Sequence, residues 1–364
     1  MNEARGRHES DDADRARHPA FGDFEAAMGQ TRDEIRRRVR DESRRIREKS
    51  DEINRRSGRN LVFAVLVGLV LGVALIASLV FVKELFVVLG IVMVASASLE
   101  VATAMRGAGR HVPRIPVVAS AIIVPPVAYL WGAGAMWLAF LAMLVISIGW
   151  RVVEVRVLPR VLAARAASGP SPVDADAGAP GSERPAAAPA SEAPAERPSL
   201  ARDVRGIVLI LGYVVFLGSF TVLLTAQPHG EFWTLGFITV VVSIDIGAYA
   251  FGLNFGKHKM APRMSPGKTW EGLAGATVVG ILVAIAVSVF MLDRPWWFGV
   301  ILGVLLVLTA TAGDLTESMI KRDIGIKDMS SWLPGHGGFF DRLDSILPSG
   351  AIAFVLSFWS AGVV

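Results

Sequence analysis

The sequence contains no cysteine and comparatively few charged residues. Without cysteine the chain has no disulfide and no thiolate nucleophile or metal ligand, and the redox state of its compartment stays open. Only 19% of the 364 residues are Asp, Glu, Lys or Arg, whereas a soluble domain carries about 25%. The N-terminus also lacks an early apolar segment, so we expect no cleavable signal peptide. Disulfide scaffolds, thiol enzymes and ordinary soluble proteins are therefore poor fits.

Long apolar blocks take up most of the remaining sequence. Hydrophobic residues make up 52% of the chain, in blocks of about 20, the length that crosses about 30 Å of hydrocarbon. One such block could be a buried core helix, but no soluble core could bury eight or nine. The sequence predicts an all-α, polytopic membrane protein with about nine spans. They are 61–82, 85–104, 115–130, 135–150, 206–225, 232–253, 273–292, 298–312 and 346–363.

Changes of composition divide the chain into four segments. Residues 1–59 form a charged N-terminal extension that is typical of a solvated helix. Residues 60–165 hold the first membrane helices, and 166–203 read as a disordered linker rich in Ala and Pro. Residues 204–364 hold the remaining spans and most of the polar motifs. Within the third span, Pro125 and Pro126 predict a kink or break.

The positive charge is distributed unevenly between alternate loops. A formal net charge of +4 could indicate nucleic-acid binding, but Lys and Arg collect in one alternate set of loops, as membrane topology requires. We therefore expect no nucleic-acid partner. The basic set is the N-terminal region, 105–114, 151–205, 254–271 and 313–345. The pattern places these loops, and the chemistry that they carry, on the cytoplasmic side of the cell membrane.

The densest polar stretch follows the eighth predicted span. If that helix continues, Asp314, Ser318 and Lys321 share one face. Asp341 and Asp344, at i and i+3, share another if they begin the last helix. Converging carboxylates flanked by basic residues suit magnesium and the polyphosphate of a nucleotide. The alternative is an ordinary loop whose acids and bases pair with each other.

Glycines and prolines fill the stretch between these two helices. Pro334, Gly335, Gly337 and Gly338 permit a tight turn there. Its exposed amides could cradle phosphate oxygens.

Two ionisable residues fall within or near predicted spans, and a second polar loop separates the sixth span from the seventh. Asp245 lies inside the sixth span, where a charge is costly and indicates function. Glu100, near the end of the second span, is expected at the cytoplasmic interface with a structural role. The second polar loop contains Asn-Phe-Gly-Lys-His-Lys from 254 and Ser-Pro-Gly-Lys-Thr-Trp from 265.

These motifs together resemble the phosphatidate cytidylyltransferase (CDP-diacylglycerol synthase) family. The stretch from Ser318 to Asp344 follows the family signature, Ser-x-x-Lys-Arg, Lys-Asp after four residues, and His-Gly-Gly-x-x-Asp-Arg-x-Asp after a spacer. The segments around Asp245 and 254–270 are similar to the family's other conserved region. The resemblance covers about 205–360 well and the earlier spans loosely.

The resemblance implies a reaction, its cofactors and a set of site residues. A phosphatidate oxygen would attack the α-phosphorus of CTP, with magnesium held by Asp314, Asp341 and Asp344 and a monovalent ion such as potassium beside it. Ser318 and Lys321 would contact phosphates as catalytic residues. The expected substrate-binding residues are Arg322, Lys327, Asp328, His336, Gly337, Gly338, Arg342, Asp245, Lys257, Ser265, Lys268 and Thr269.

Two other functions stay open at this point. The nearer is another CTP-dependent membrane enzyme, such as a kinase of a polyprenol or other lipid alcohol. The more distant is a cation-coupled transporter, although its polar groups should lie near the bilayer midplane. The sequence leaves open the acyl-chain preference and the oligomeric state, for which a homodimer is one option.

Overall fold

The computed structural model describes residues 61–157, 199–330, 332 and 337–360, with side chains excluded for 61–69 and 71. Residues 67–364 group into one unit by their contacts. The predicted N-terminal extension 1–59 and most of the predicted linker lie outside the described residues, as do His336, Pro334 and Gly335.

Helices joined by short loops, with one two-stranded antiparallel hairpin, make up the described chain. In chain order the elements are α1 Leu61–Phe81, α2 Lys83–Gly107, α3 Arg114–Arg156, α4 Leu200–Thr225, α5 Gly230–Phe255, β1 Lys259–Ala261, β2 Ser265–Thr269, α6 Trp270–Phe290, α7 Trp296–Asp323, α8 Phe340–Leu343 and α9 Ile346–Ser360. Within α4, the stretch Ile210–Phe216 is π-helical. The predicted all-α class is confirmed, with the small hairpin as an addition.

Seven helical stretches among the described residues are long and apolar enough to cross a bilayer. They are α2 to α7 and the combined stretch Phe340–Ser360. The third and fourth predicted spans lie in the single element α3. The first predicted span is helical over Leu61–Phe81. Of this helix only Gly72–Phe81 is counted as an apolar helix, and it is too short to be counted among the seven spans. A count of nine spans stays a prediction.

The break within α3 lies at a glycine and not at the proline pair. A straight helix of its 43 residues would extend over about 60 Å, about twice the hydrocarbon thickness. Pro125 and Pro126 lie inside the helical stretch, whereas Gly132 has φ 79° and ψ −171°. Glycine adopts such a positive φ because it has no Cβ. The break lies at Gly132, which divides α3 into two shorter helices, so a break at the proline pair is wrong, whereas a kink there stays a prediction.

The core consists of two clusters of buried apolar side chains. One joins α2, α3 and α4 to the segment that follows α7, and the other joins α5, α6, α7 and α9. Outward-facing side chains are also apolar, for example Phe290 at 88% and Leu138 at 71% exposure. Apolar surface on this scale must be covered, and lipid covers it in helices of this length. The chain is an integral membrane protein.

Alternate loops meet at opposite ends of the helix bundle. Arg110, after α2, forms an ion pair of 2.7 Å with Asp323 at the end of α7. At the other end, Lys83 begins α2 and lies 2.5 Å from Glu231 at the start of α5. The loops after α2 and α7, both in the predicted cytoplasmic set, therefore share one end.

Candidate active site

Three carboxylates meet where α7 ends and the last helices begin. Asp314 and Glu317 lie one turn apart on α7, and Asp344 follows α8. Their oxygen atoms lie within 4.8 Å of one another, and Glu317 and Asp344 are each only 6% exposed. Gly313 permits this approach, because a Cβ there would collide with the backbone carbonyl of Asp344. Asp314, Glu317 and Asp344 are called the carboxylate cluster below.

Two lysines contact the acidic residues without balancing them. Lys268, at the end of β2, forms an ion pair with Asp314. Lys321 Nζ lies 2.5 Å from Glu317 Oε1 and 3.5 Å from Asp341 Oδ1. Both of these oxygens are buried, and neither has a hydrogen-bond partner within the described part of the chain despite the nearby ammonium group. Buried carboxylates in excess over their cations favour a bound cation, because an unpaired buried charge is costly.

Asp341 is placed differently from the three clustered acids. Its Oδ2 accepts a hydrogen bond of 3.0 Å from the Gly338 amide, and its Oδ1 faces Lys321. The structure thus groups Glu317, in place of Asp341, with Asp314 and Asp344. The metal role of Asp341 stays a prediction. Sequence reasoning missed Glu317, although it lies three residues after Asp314 and therefore on the same helical face.

Hydrogen bonds to the backbone and to Asp344 hold the cluster from one side. The Tyr213 hydroxyl lies 3.3 Å from the Gly313 carbonyl oxygen and 3.4 Å from that of Asp344, so it can donate to either. The Ser345 amide donates to Asp344 Oδ1 at 2.7 Å. These bonds tie α4, α7 and the start of α9 together directly behind the carboxylates.

A cleft of about 400 Å³ opens over the cluster, within the size range of small-molecule sites. The hairpin β1–β2 forms one wall and brings Lys268 to the cluster. Thr269 then caps α6 by accepting a hydrogen bond of 3.1 Å from the Gly272 amide. Seven of the residues predicted as site residues line the cleft, namely Asp245, Lys268, Thr269, Asp314, Asp341, Arg342 and Asp344.

The other predicted site residues that the structure describes lie outside the lining of the cleft. Ser318 and Lys321 are half-buried on α7. Neither of them belongs to the described lining of the cleft, and the same is true of five further residues: Lys257, Ser265, Arg322, Lys327 and Asp328. All five except Ser265 are exposed. Gly337 and Gly338 form the turn before α8, and the Gly338 amide already donates to Asp341, so it is not available to a phosphate in this arrangement.

The donor set of the cluster fits magnesium. Magnesium prefers hard oxygen ligands and commonly binds one or two carboxylates together with substrate phosphates. Asp314, Glu317 and Asp344 offer only such oxygens. Glu317 Oε1, which faces Lys321, has no hydrogen-bond partner among the described residues. The chemistry of these three acids therefore suits a divalent ion.

Comparison with known proteins agrees with this geometry. The model of the cytidylyltransferase family matches residues 62–359. The chain is 36% identical over 301 residues to a phosphatidate cytidylyltransferase of Mycobacterium bovis, covering 83% of this chain and 89% of that protein. The chain is also 36% identical to the Mycobacterium leprae protein of the same name, over 83% of this chain and 88% of that protein. The Haemophilus influenzae protein of that name is 42% identical over 136 residues, 36% of this chain and 46% of that protein. The chain belongs to the cytidylyltransferase family.

Proposed function

We propose that this enzyme transfers a cytidylyl group from CTP to phosphatidate, forming CDP-diacylglycerol and pyrophosphate in phospholipid biosynthesis. The observation that carries the proposal is the buried carboxylate cluster beside Lys268 and Lys321, in a chain whose relatives are named phosphatidate cytidylyltransferase. Acids that bind a divalent ion and lysines that neutralise phosphate are what nucleotidyl transfer requires.

The reaction needs positioning and charge neutralisation more than proton transfer. A phosphatidate oxygen attacks the α-phosphorus of CTP, the bond from that phosphorus to the bridging oxygen breaks, and pyrophosphate leaves. The attacking phosphate is already anionic, so no strong general base is required. Magnesium, when bound at the cluster, supplies positive charge at the CTP phosphates. Lys268 and Lys321 neutralise the charge that develops on the leaving group, and potassium is the proposed monovalent companion ion.

One wall of the cleft continues into the outer surface of the bundle. Tyr249 lines the cleft and is 73% exposed. Its neighbours on α5, Ile246 and Leu253, are 63% and 71% exposed. This continuous apolar surface supports a lipid substrate whose acyl chains stay in the bilayer while its phosphate enters the cleft.

The proposed location is the plasma membrane, with the cluster on the cytoplasmic side. The asymmetry of Lys and Arg between alternate loops supports this orientation. Because the chain has no cysteine, single introduced cysteines report on themselves. An impermeant thiol reagent outside intact cells should label Asp293→Cys and leave Trp332→Cys unlabelled. The reverse pattern would overturn the orientation.

Purified protein with phosphatidate and α-labelled CTP provides the direct test. We expect labelled lipid and an equal amount of pyrophosphate, and neither product when diacylglycerol replaces phosphatidate. Labelled CDP without labelled lipid would instead identify a CTP-dependent lipid kinase. Asp344→Asn, at the same level of folded protein, serves as the inactive control.

A further inference from the structure

Glu100 connects the N-terminal helices to the segment that carries the catalytic acids. It lies on α2 and is only 2% exposed, so it is buried in the protein, while its predicted depth at the cytoplasmic interface stays a prediction. Its Oε1 accepts a hydrogen bond of 2.5 Å from the Ser330 hydroxyl, and its Oε2 accepts one of 2.9 Å from the Phe340 amide. Both donors are more than 200 residues away in sequence.

The bond to Phe340 acts as a helix cap supplied by another helix. Phe340 is the first residue of α8, and the first amides of a helix have no acceptor within it. A side-chain oxygen usually satisfies such an amide from the preceding residues. Here Phe339 precedes the helix and its side chain cannot accept, so the buried Glu100 carboxylate takes that role.

The same carboxylate also limits the turn before α8. A Cβ on Gly338 would lie 2.7 Å from Glu100 Oε2, so any larger residue would push the turn away from α2. On its other side, the Gly338 amide donates to Asp341 Oδ2 at 3.0 Å. The turn is therefore held between Glu100 and Asp341, which leaves little room for a side chain at 338.

We propose that Glu100 is a positioning residue that sets the place of Asp341 and Asp344 relative to Asp314 and Glu317. It acts through the Ser330 hydroxyl and the Phe340 amide, and it lies outside the described lining of the cleft. Misplacement of reacting groups by about 1 Å can lower a rate by about 10²-fold. The measurement of activity described next rests on the proposed function, whereas the measurement of unfolding does not.

The test compares Glu100→Ala, Glu100→Gln and Ser330→Ala with the unchanged chain. Glu100→Ala should lower the rate per folded molecule by about tenfold or more and raise the half-saturating magnesium concentration. Glu100→Gln keeps an acceptor for the Phe340 amide and should lose less activity. Ser330→Ala removes one hydrogen bond to Glu100, so its rate should lie between those of Glu100→Ala and the unchanged chain. Glu84→Ala, an exposed acid on the same helix, is the matched control and should match the unchanged chain.

A second measurement separates positioning from general stability and needs no substrate. Magnesium should raise the unfolding temperature of the unchanged chain and of Glu84→Ala, and raise that of Glu100→Ala much less. A lower unfolding temperature with an unchanged magnesium shift and an unchanged rate would overturn the proposal. If Glu100→Ala does not fold, Glu100→Gln and Ser330→Ala decide by the same criteria. If the unchanged chain forms no labelled lipid, the proposed function fails, while the magnesium shift still tests Glu100.

Discussion

Two groups of buried charges in this protein look alike in burial and differ in charge balance. Asp203, at the start of α4, is 1% exposed. Its carboxylate accepts from Arg151 Nε at 2.9 Å, from Arg151 Nη2 at 2.8 Å and from the His111 amide at 2.8 Å. Arg151 Nη1 also pairs with the partly exposed Glu154 at 3.1 Å, so the one fully buried acid of this group faces a guanidinium group, and both of its oxygens accept hydrogen bonds. At the carboxylate cluster, Lys268 pairs with Asp314, and Lys321 lies between Glu317 and Asp341. Among the described residues, the buried Glu317 Oε1 and Asp341 Oδ1 have no hydrogen-bond partner.

The difference shows that charge balance, and not burial, distinguishes a site from a structural link. A buried ion pair offsets its own desolvation when its geometry is good and its hydrogen bonds are complete. The Asp203–Arg151 pair meets that condition and joins α3 to α4. The carboxylate cluster does not meet it with protein groups alone, so it needs a cation. Variants of the two groups, and of an exposed ion pair far from both, should separate these roles, and they follow in order of decreasing effect on activity per folded molecule.

Removing one charge from the cluster should have the largest effect. Asp344→Asn keeps the shape of the side chain and weakens the hold on magnesium. Loss of one electrostatic contribution to a transition state lowers the rate by about 10²- to 10³-fold, and a primary metal ligand should reach that range. Initial rates against magnesium concentration, at matched folded protein, measure it. A near-normal rate with an unchanged magnesium curve would contradict the metal assignment.

Comparing Glu317→Gln with Asp341→Asn tests which acid completes the metal site. Glu317 belongs to the group within 4.8 Å, whereas Asp341 accepts from Gly338 and faces Lys321. We expect Glu317→Gln to raise the half-saturating magnesium concentration by about tenfold or more, the loss typical of a weakened metal site, and Asp341→Asn to raise it less. The opposite order would restore Asp341 as the third ligand.

Breaking the balanced pair should reduce stability and leave the chemistry intact. Asp203→Asn leaves Arg151 buried without its full counter-charge, and breaking a buried pair typically lowers stability by about 3–5 kcal/mol. Thermal unfolding in detergent should show the loss, with the rate per folded molecule within about twofold. Arg151→Met is the companion variant. A rate reduced as strongly as in Asp344→Asn would mean that the balanced pair also shapes the site.

The smallest effect is expected at the far end of the bundle. Lys83 and Glu231 form an ion pair there, with side chains 39% and 23% exposed. Pairs of this exposure contribute about 0.2–1 kcal/mol. Lys83→Met should therefore change the unfolding temperature slightly and the rate not at all. A clear loss of activity would show that the far end is coupled to the cleft.

The sequence by itself determined the class, most of the spans and all of the charged residues in the described lining of the cleft. Apolar blocks of membrane-crossing length are a local property, so 232–253 and 273–292 correspond closely to α5 and α6. Helical periodicity is local too, which is why Asp314 and Lys321 were predicted on one face of a helix that indeed continues to Asp323. The motif spacing was equally readable, because its residues lie close together along the chain.

Only the tertiary structure decided which distant groups meet. Asp344 lies beside Asp314 because Gly313 permits close backbone approach, and Glu100 reaches Phe340 across 240 positions. Neither contact has a periodic or compositional signal, since both depend on how separate helices pack. The same holds for Asp203 and Arg151. The sequence predicts both residues in a loop, and only the packing of α3 against α4 brings them together. Local patterns fix the helices, and packing between helices builds the carboxylate cluster and the contacts that hold it.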